Sequence, residues 1–119
     1  MCIRDSLHHP PYTCGGHFGE PIVQQRWVPL FEEYGVQLVL AGHDHTYQRF
    51  AARNGVTYVV HGGGGATLYR LRGCPRSYPP RARARSEHGF LSVSIGPDDL
   101  QVTAVDLKGR VRDRFTLSP

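Results

Sequence analysis

The stretch EPIVQQRWVPLFEEYGVQLVLAGHDH, residues 20–45, narrows the possible folds more than any other part of the chain. Ile22, Val23, Trp27, Leu30, Phe31 and Tyr34 recur at largely helical spacing. Pro21 suits a first helical turn, where a missing N–H costs nothing, and Gly35 suits the left-handed residue that ends a helix. Pro29 cannot donate the bond an interior turn requires, so the pattern predicts a kink or two short helices meeting there. Residues 36–42, VQLVLAG, then form an apolar run of the kind that makes a buried strand. A helix feeding such a strand predicts an α/β unit. His43 and His45 fall just past the strand's carboxyl end, where α/β sheets commonly bind ligands.

Downstream the period shortens to two. Asn54-Gly55 predicts a hairpin joining roughly 47–52 to 56–61. GFLSVSI, LQVTAVD and RVRDRFTL nearly alternate, separated by turns at Pro97-Asp98-Asp99 and Lys108-Gly109, and predict a β-meander. One helical segment and about six strands make the chain α+β, and 119 residues hold at most one small domain. No apolar run approaches the roughly 18 residues that span a bilayer.

Thirteen of the 14 basic residues are arginine, and six lie in residues 70–85 among four prolines and glycines. A phosphate-rich partner is one reading of that stretch. A solvated surface loop is the favoured one, because lysine is scarce along the whole chain. Cys14 and Cys74 are able to pair, but their spacing shows no disulfide framework and leaves the redox compartment open.

Histidine is the abundant reactive residue, at positions 8, 9, 17, 43, 45, 61 and 88. Imidazole is the commonest metal ligand and exchanges protons near neutral pH. His43 and His45, one residue apart on an extended segment, are able to point to one side, and Gly42 lets the backbone turn sharply before them. They read as a metal clamp or as polar loop residues, and the Gly-His-x-His pattern alone is moderately specific for the clamp. His8-His9 precede Pro10-Pro11, which is either a ligand held on a rigid exit or a proline-rich turn. Gly62–Gly65 are either a cradle of backbone N–H groups for phosphate or a flexible loop.

Taken together, HHPPY and GHDHTYQRF, about 35 residues apart with a helix between, resemble the last two metal-binding blocks of the metallophosphoesterase (calcineurin-like) superfamily. The purple acid phosphatase-like branch is the nearer match, with Tyr47 and Arg49 following the Gly-His-x-His block. YVVHGGGGATLY and residues 88–117 resemble that branch's glycine-rich segment and closing strands.

The resemblance implies an α/β/β/α four-layer sandwich. It also implies a hydrolase that attacks phosphate monoesters with a metal-activated water at a two-metal site, the metals being iron, zinc or manganese. On it, His8 and His43 match ligands to one ion and His45 a ligand to the other. His17 matches the substrate-facing histidine that contacts phosphate or protonates the leaving oxygen. His61 is expected to line the cleft, His9, Asp44 and Tyr47 to support the ligands, and His88 to be structural. The implied partner is a small phosphorylated substrate. A phosphodiesterase or nucleotidase shares these blocks. A non-catalytic metal- or nucleic-acid-binding module is the rival from another class.

The superfamily's upstream ligand blocks, Asp-x-His, Gly-Asp and Gly-Asn-His-Asp/Glu, do not occur in this sequence. The resemblance therefore implies that residues 7–119 are the C-terminal part of one such domain and are inactive alone. MCIRDS, residues 1–6, reads as foreign to it, resembling read-through of a sequencing adapter.

Overall fold

The computed structural model describes residues 3–119. Its elements run β1 (Arg4–Leu7), α1 (Pro21–Arg26), α2 (Val28–Glu33), β2 (Leu38–Ala41), β3 (Tyr47–Phe50), β4 (Thr57–His61), β5 (Arg81–Arg85), β6 (Gly89–Ile95), β7 (Leu100–Asp106) and β8 (Val111–Leu117). The fold is α+β. No helix among the described residues is long and apolar enough to cross a membrane.

The kink resolves as two helices joined at Trp27, which ends α1 and caps α2. Pro29 thereby falls in the first turn of α2, where it forfeits no hydrogen bond. Gly35 adopts φ 68°. Val36 N–H donates to the Phe31 carbonyl (2.9 Å) and Gly35 N–H to that of Glu32 (3.4 Å), closing the helix in the paired-bond manner that a left-handed cap permits.

Five strands form a mixed sheet in the order β1-β2-β4-β3-β5, and three form an antiparallel sheet, β6-β7-β8. β1, β2 and β4 are parallel, while β3 runs antiparallel to β4 and β5. The β3–β4 connection turns at Asn54 (φ 50°) and Gly55 (φ 81°), with Arg53 and Val56 exchanging both backbone bonds.

Alternation along the central strands splits the core in two. Val39, Tyr58 and Val60 join Tyr12, Phe31 and Phe50 in one cluster that includes Val28 and Phe31 of the helix α2. Leu38 and Val59 join Tyr47, Leu100, Val102 and Ala104 in the other, between the sheets. Within this chain the layers are helix, sheet, sheet.

Two strands go beyond the six expected. Arg81–Arg85 pairs with β3 and is a strand, so the arginine-rich stretch is not simply a solvated loop. Its arginines suit a sheet edge, where charge discourages further pairing. Several are also engaged inside the molecule. Arg81 Nη1 donates to the Cys14 carbonyl (3.1 Å) and to Gln48 Oε1 (3.3 Å), and Arg72 Nε donates to the Gly15 carbonyl.

Arg4–Leu7, partly within MCIRDS, forms β1 in parallel register with β2. Its Arg-Asp-Ser run is tolerable because β1 is an edge strand, exposed or half-buried throughout. Met1 and Cys2 lie outside the described residues. Cys14 and Cys74 form a disulfide with Cα atoms 5.3 Å apart, so the pairing the spacing left open is made.

Candidate metal and phosphate site

Parallel register delivers the first histidines. Leu7 pairs with Ala41, so β1 and β2 end side by side and release His8 and His43 at neighbouring points. Gly42 N–H donates to the His8 carbonyl (3.1 Å), continuing the ladder one step past the strands. His43 Nδ1 lies 3.2 Å from His8 Nε2, and candidate ligand nitrogens of His8, His9 and His43 all lie within 4.8 Å of one another. Among the described residues this is the group of metal-ligating side chains so assembled.

The Gly-His-Asp-His-Thr backbone explains which side chains face out. Asp44 N–H donates to the Gly42 carbonyl and Thr46 N–H to the Asp44 carbonyl, both at 2.8 Å. These are successive three-residue turns about His43 and His45, and His43 takes φ 67°, a conformation a non-glycine residue holds only at some cost. Asp44 and Thr46 are turned fully inward, whereas His43 and His45 remain partly accessible. The Asp44 carboxylate accepts from Thr13 Oγ1 and from Gly16 N–H (2.8 Å). Gln48 Nε2 donates to Thr13 Oγ1 and Thr46 Oγ1, and Gln48 Oε1 accepts from Cys14 N–H. A buried carboxylate so supplied with donors anchors residues 13–16 beneath the histidines.

That anchoring carries His17 to the site, where its ring stacks on His43 at 4.1 Å between centroids and 29° between planes. His9 lies 4.4 Å from His43 by the same measure. Burial lowers the His43 pKa, and the positive charge that His17, His9 and His8 would carry lowers it further, against the pull of Asp44. His43 is thus biased toward the neutral imidazole that binds metals.

The structure brings together His8, His9, His17 and His43. His45 is held apart, with Nδ1 2.7 Å from the Thr67 carbonyl and its ring stacked on Tyr69 (4.2 Å, 16°). A carbonyl only accepts, so Nδ1 carries the proton and Nε2 keeps the free lone pair. His61 lines clefts between the sheets, with Gly89 in both, and packs against Tyr47 at 5.7 Å; none of the other site histidines lines those clefts. Its Nδ1 accepts from Gly63 N–H, and burial lowers its pKa. His88 bonds the Ala66 carbonyl (2.8 Å). Tyr47 faces the second sheet, donating to Asp113 Oδ2 at 2.6 Å, and Arg49 donates to both oxygens of the same carboxylate (2.7 and 3.2 Å). The Tyr-x-Arg pair therefore ties the sheets together.

The glycine run is also clarified. Gly62 N–H donates to the Thr46 carbonyl and Gly63 N–H to His61, so these two donors are committed internally. A Cβ on Gly62 would lie 2.2 Å from the Asp44 carbonyl oxygen, whereas one on Gly64 would meet nothing within 4 Å. The first two glycines permit close packing, and Gly64 stands open. Sequence reasoning passed over Thr13, Gln48, Thr67 and Tyr69. The first two carry no periodic signal, and the last two lie in YVVHGGGGATLY, where His61 and the glycines stood out instead.

The family model for calcineurin-like phosphoesterases matches residues 3–47, the stretch that holds both histidine blocks. Purple acid phosphatases are among the proteins the chain is similar to. Purple acid phosphatase 7 of Arabidopsis thaliana is 29% identical over 111 residues, covering 93% of this chain and 34% of that protein. Purple acid phosphatase 17 of the same plant is 23% identical over 113 residues, covering 93% and 33%. The chain thus spans about a third of the length of these relatives. A solved structure described as GAP50, the anchor in the inner membrane complex of Plasmodium, shares the fold. It has a TM-score of 0.83 at 20% identity, covering 93% of this chain and 34% of its own.

Proposed function

We propose that residues 7–119 supply the C-terminal part of a metal-dependent phosphoesterase domain that hydrolyses small phosphate monoesters. The observation that carries this reading is the approach of His43 to His8 at 3.2 Å, at the ends of adjacent parallel strands, with His17 stacked behind. The donor set fits a borderline transition metal: ring nitrogens in mutual reach, one of them biased toward neutrality. His8 and His43 would hold one ion, with His9 within reach of it, and the free Nε2 of His45 would serve a second.

Bound ions of this kind supply the charge that acidifies a water and neutralises a phosphoryl group. The chain's own residues do the rest. Asp44, fixed by Thr13 and Gly16, holds the backbone turns that aim His43 and His45 outward. His17, in its protonated form, gives a proton to the leaving oxygen of the ester. The residues implied to bridge the metals are not in this sequence, so the 119-residue chain binds metal weakly and turns over little.

Calorimetric titration with Zn²⁺ and Mn²⁺ tests this reading. The wild-type chain should bind, and His8→Ala and His43→Ala should each lose about tenfold or more in affinity. No binding by wild type would defeat the assignment. Global unfolding on chelation would support a structural zinc module instead. Robust p-nitrophenyl phosphate turnover by the chain with metal added would overturn its inactivity. Preference for bis(p-nitrophenyl) phosphate in a longer polypeptide would point to a diesterase.

A further inference from the structure

We infer that Tyr69 is a positioning residue, whose ring fixes His45 and His17 relative to each other. The roles of those histidines rest on the function proposed above, but their placement by Tyr69 is independent of it.

His45 touches none of the other site histidines through its ring. Its contacts come from residues 67–69: the Thr67 carbonyl at Nδ1, the Tyr69 ring against its face, and its own carbonyl accepting from Tyr69 N–H at 3.1 Å. Tyr69 also meets His17 in a T-shaped contact, 5.5 Å between centroids and 72° between planes. His17 in turn stacks on His43. The rings therefore run in series, His45 to Tyr69 to His17 to His43, and Tyr69 is the link that is not itself a histidine.

The segment bearing Tyr69 is fastened on several sides. Ser86 Oγ donates to the Tyr69 carbonyl (2.5 Å), Arg72 N–H donates to the Cys14 carbonyl (2.9 Å), and Cys74 is disulfide-bonded to Cys14. Gly16 packs close against the ring, because a Cβ there would lie 2.3 Å from Tyr69 Cδ2. A planar ring held in place, stacked on one histidine and perpendicular to another, sets both orientations. Hydrogen bonds and stacking outside a ligand set commonly control ligand direction and metal affinity.

The test uses the 119-residue chain, first without metal and then with Zn²⁺. Side-chain ¹H–¹⁵N and ¹H–¹³C spectra report the ring-current shifts of His45 and His17 and the tautomer of His45. Tyr69→Phe keeps the ring and should preserve these shifts, the Nδ1–H tautomer and Zn²⁺ affinity within about twofold. Tyr69→Leu should abolish the His45 ring-current shift, mix its tautomers and weaken Zn²⁺ binding about tenfold. Gly16→Ala retains Tyr69 but displaces its ring, and should produce the same spectral losses. It alone decides the matter if Tyr69→Leu does not fold. Unchanged His45 and His17 signals in folded Tyr69→Leu or in Gly16→Ala would overturn the inference. So would losses in Tyr69→Phe as large as those in Tyr69→Leu. Should wild type bind no Zn²⁺, the metal-free spectra still decide the role of Tyr69, and the functional reading alone fails.

Discussion

Replacing Asp113 with alanine should cost this chain about 3 kcal/mol of stability. The side chain is 4% exposed and accepts one bond from Tyr47 and two from Arg49, whose side chain is 21% exposed. Truncating one partner of a buried, hydrogen-bonded ion pair commonly costs about 3–5 kcal/mol, because the other charge is left buried. Arg49 recovers water at its exposed part and stays over the Phe115 ring at 4.8 Å, which moves the expectation to the lower end. The Tyr47 hydroxyl, in a residue 3% exposed, has no such recourse. Unfolding entropy of about 2.1 cal/mol/K per residue, over 119 residues, converts this loss to about 12 °C in Tm.

The effect should also depend on pH. Burial alone would raise the Asp113 pKa, but the bonds from Arg49 and Tyr47 outweigh it and hold the carboxyl below its usual value of 3.8. A depressed folded pKa contributes stability in full above the unfolded value, and that stability is lost as pH falls through the lower folded one. Thermal melts by far-UV circular dichroism at pH 7 and between pH 5 and 2.5 check both effects. Asp113→Ala should melt about 12 °C lower at neutral pH, with a shallower acid decline than wild type. A Tyr47→Phe cycle should show coupling of about 1 kcal/mol or more. A fall of under about 4 °C, or an unaltered acid limb, would refute the cross-sheet tie as a source of stability.

Reducing the Cys14–Cys74 disulfide, or replacing both residues with serine, opens a loop with a sequence separation of 60 and should cost about 4 kcal/mol of unfolded-state entropy, read as a lowered urea midpoint. Gly62→Ala should destabilise by about 2 kcal/mol or more, because its Cβ meets the Asp44 backbone, while Gly64→Ala should lie within about 0.5 kcal/mol of wild type in the same denaturation series. His43 has a folded pKa below its usual 6.5, so its contribution is present above that value and wanes as pH falls through the folded one. In chelator, His43→Asn should flatten the decline in stability below about pH 6.5, as measured by urea titration.

The parts of the fold readable from sequence are those with strong local chemistry. Pro21, Pro29 and Gly35 bracket the helical segment, Asn54-Gly55 makes its hairpin, and the last three strands alternate openly. β1 and β5 escaped because both are edge strands of polar composition, whose pairing depends on neighbours distant in sequence. At the site, the residues alone left His8, His43 and His45 between ligand and loop, and it was the resemblance of their blocks, and of the segment bearing His17, to family motifs that singled them out. Tyr69 could not be singled out, since its importance lies in ring contacts across 24 positions to His45 and 52 to His17. Tyr47 was expected to support the ligands, yet alternation along β3 turns it toward Asp113.

The disulfide has a topological consequence for the site. Residues 14–74 form one covalent ring, and His17, His43, His45 and Tyr69 all lie on it. One peptide-bond cut inside that ring, for instance at exposed Gly64–Thr67, would leave both pieces joined and these four side chains tethered in one molecule. His8 and His9 ride outside it, on an arm secured by the β1–β2 ladder and the bond from Gly42. Proteolysis would thus divide the histidines unequally: the ringed set stays linked after a nick, while a cut between residues 9 and 14 releases the other two.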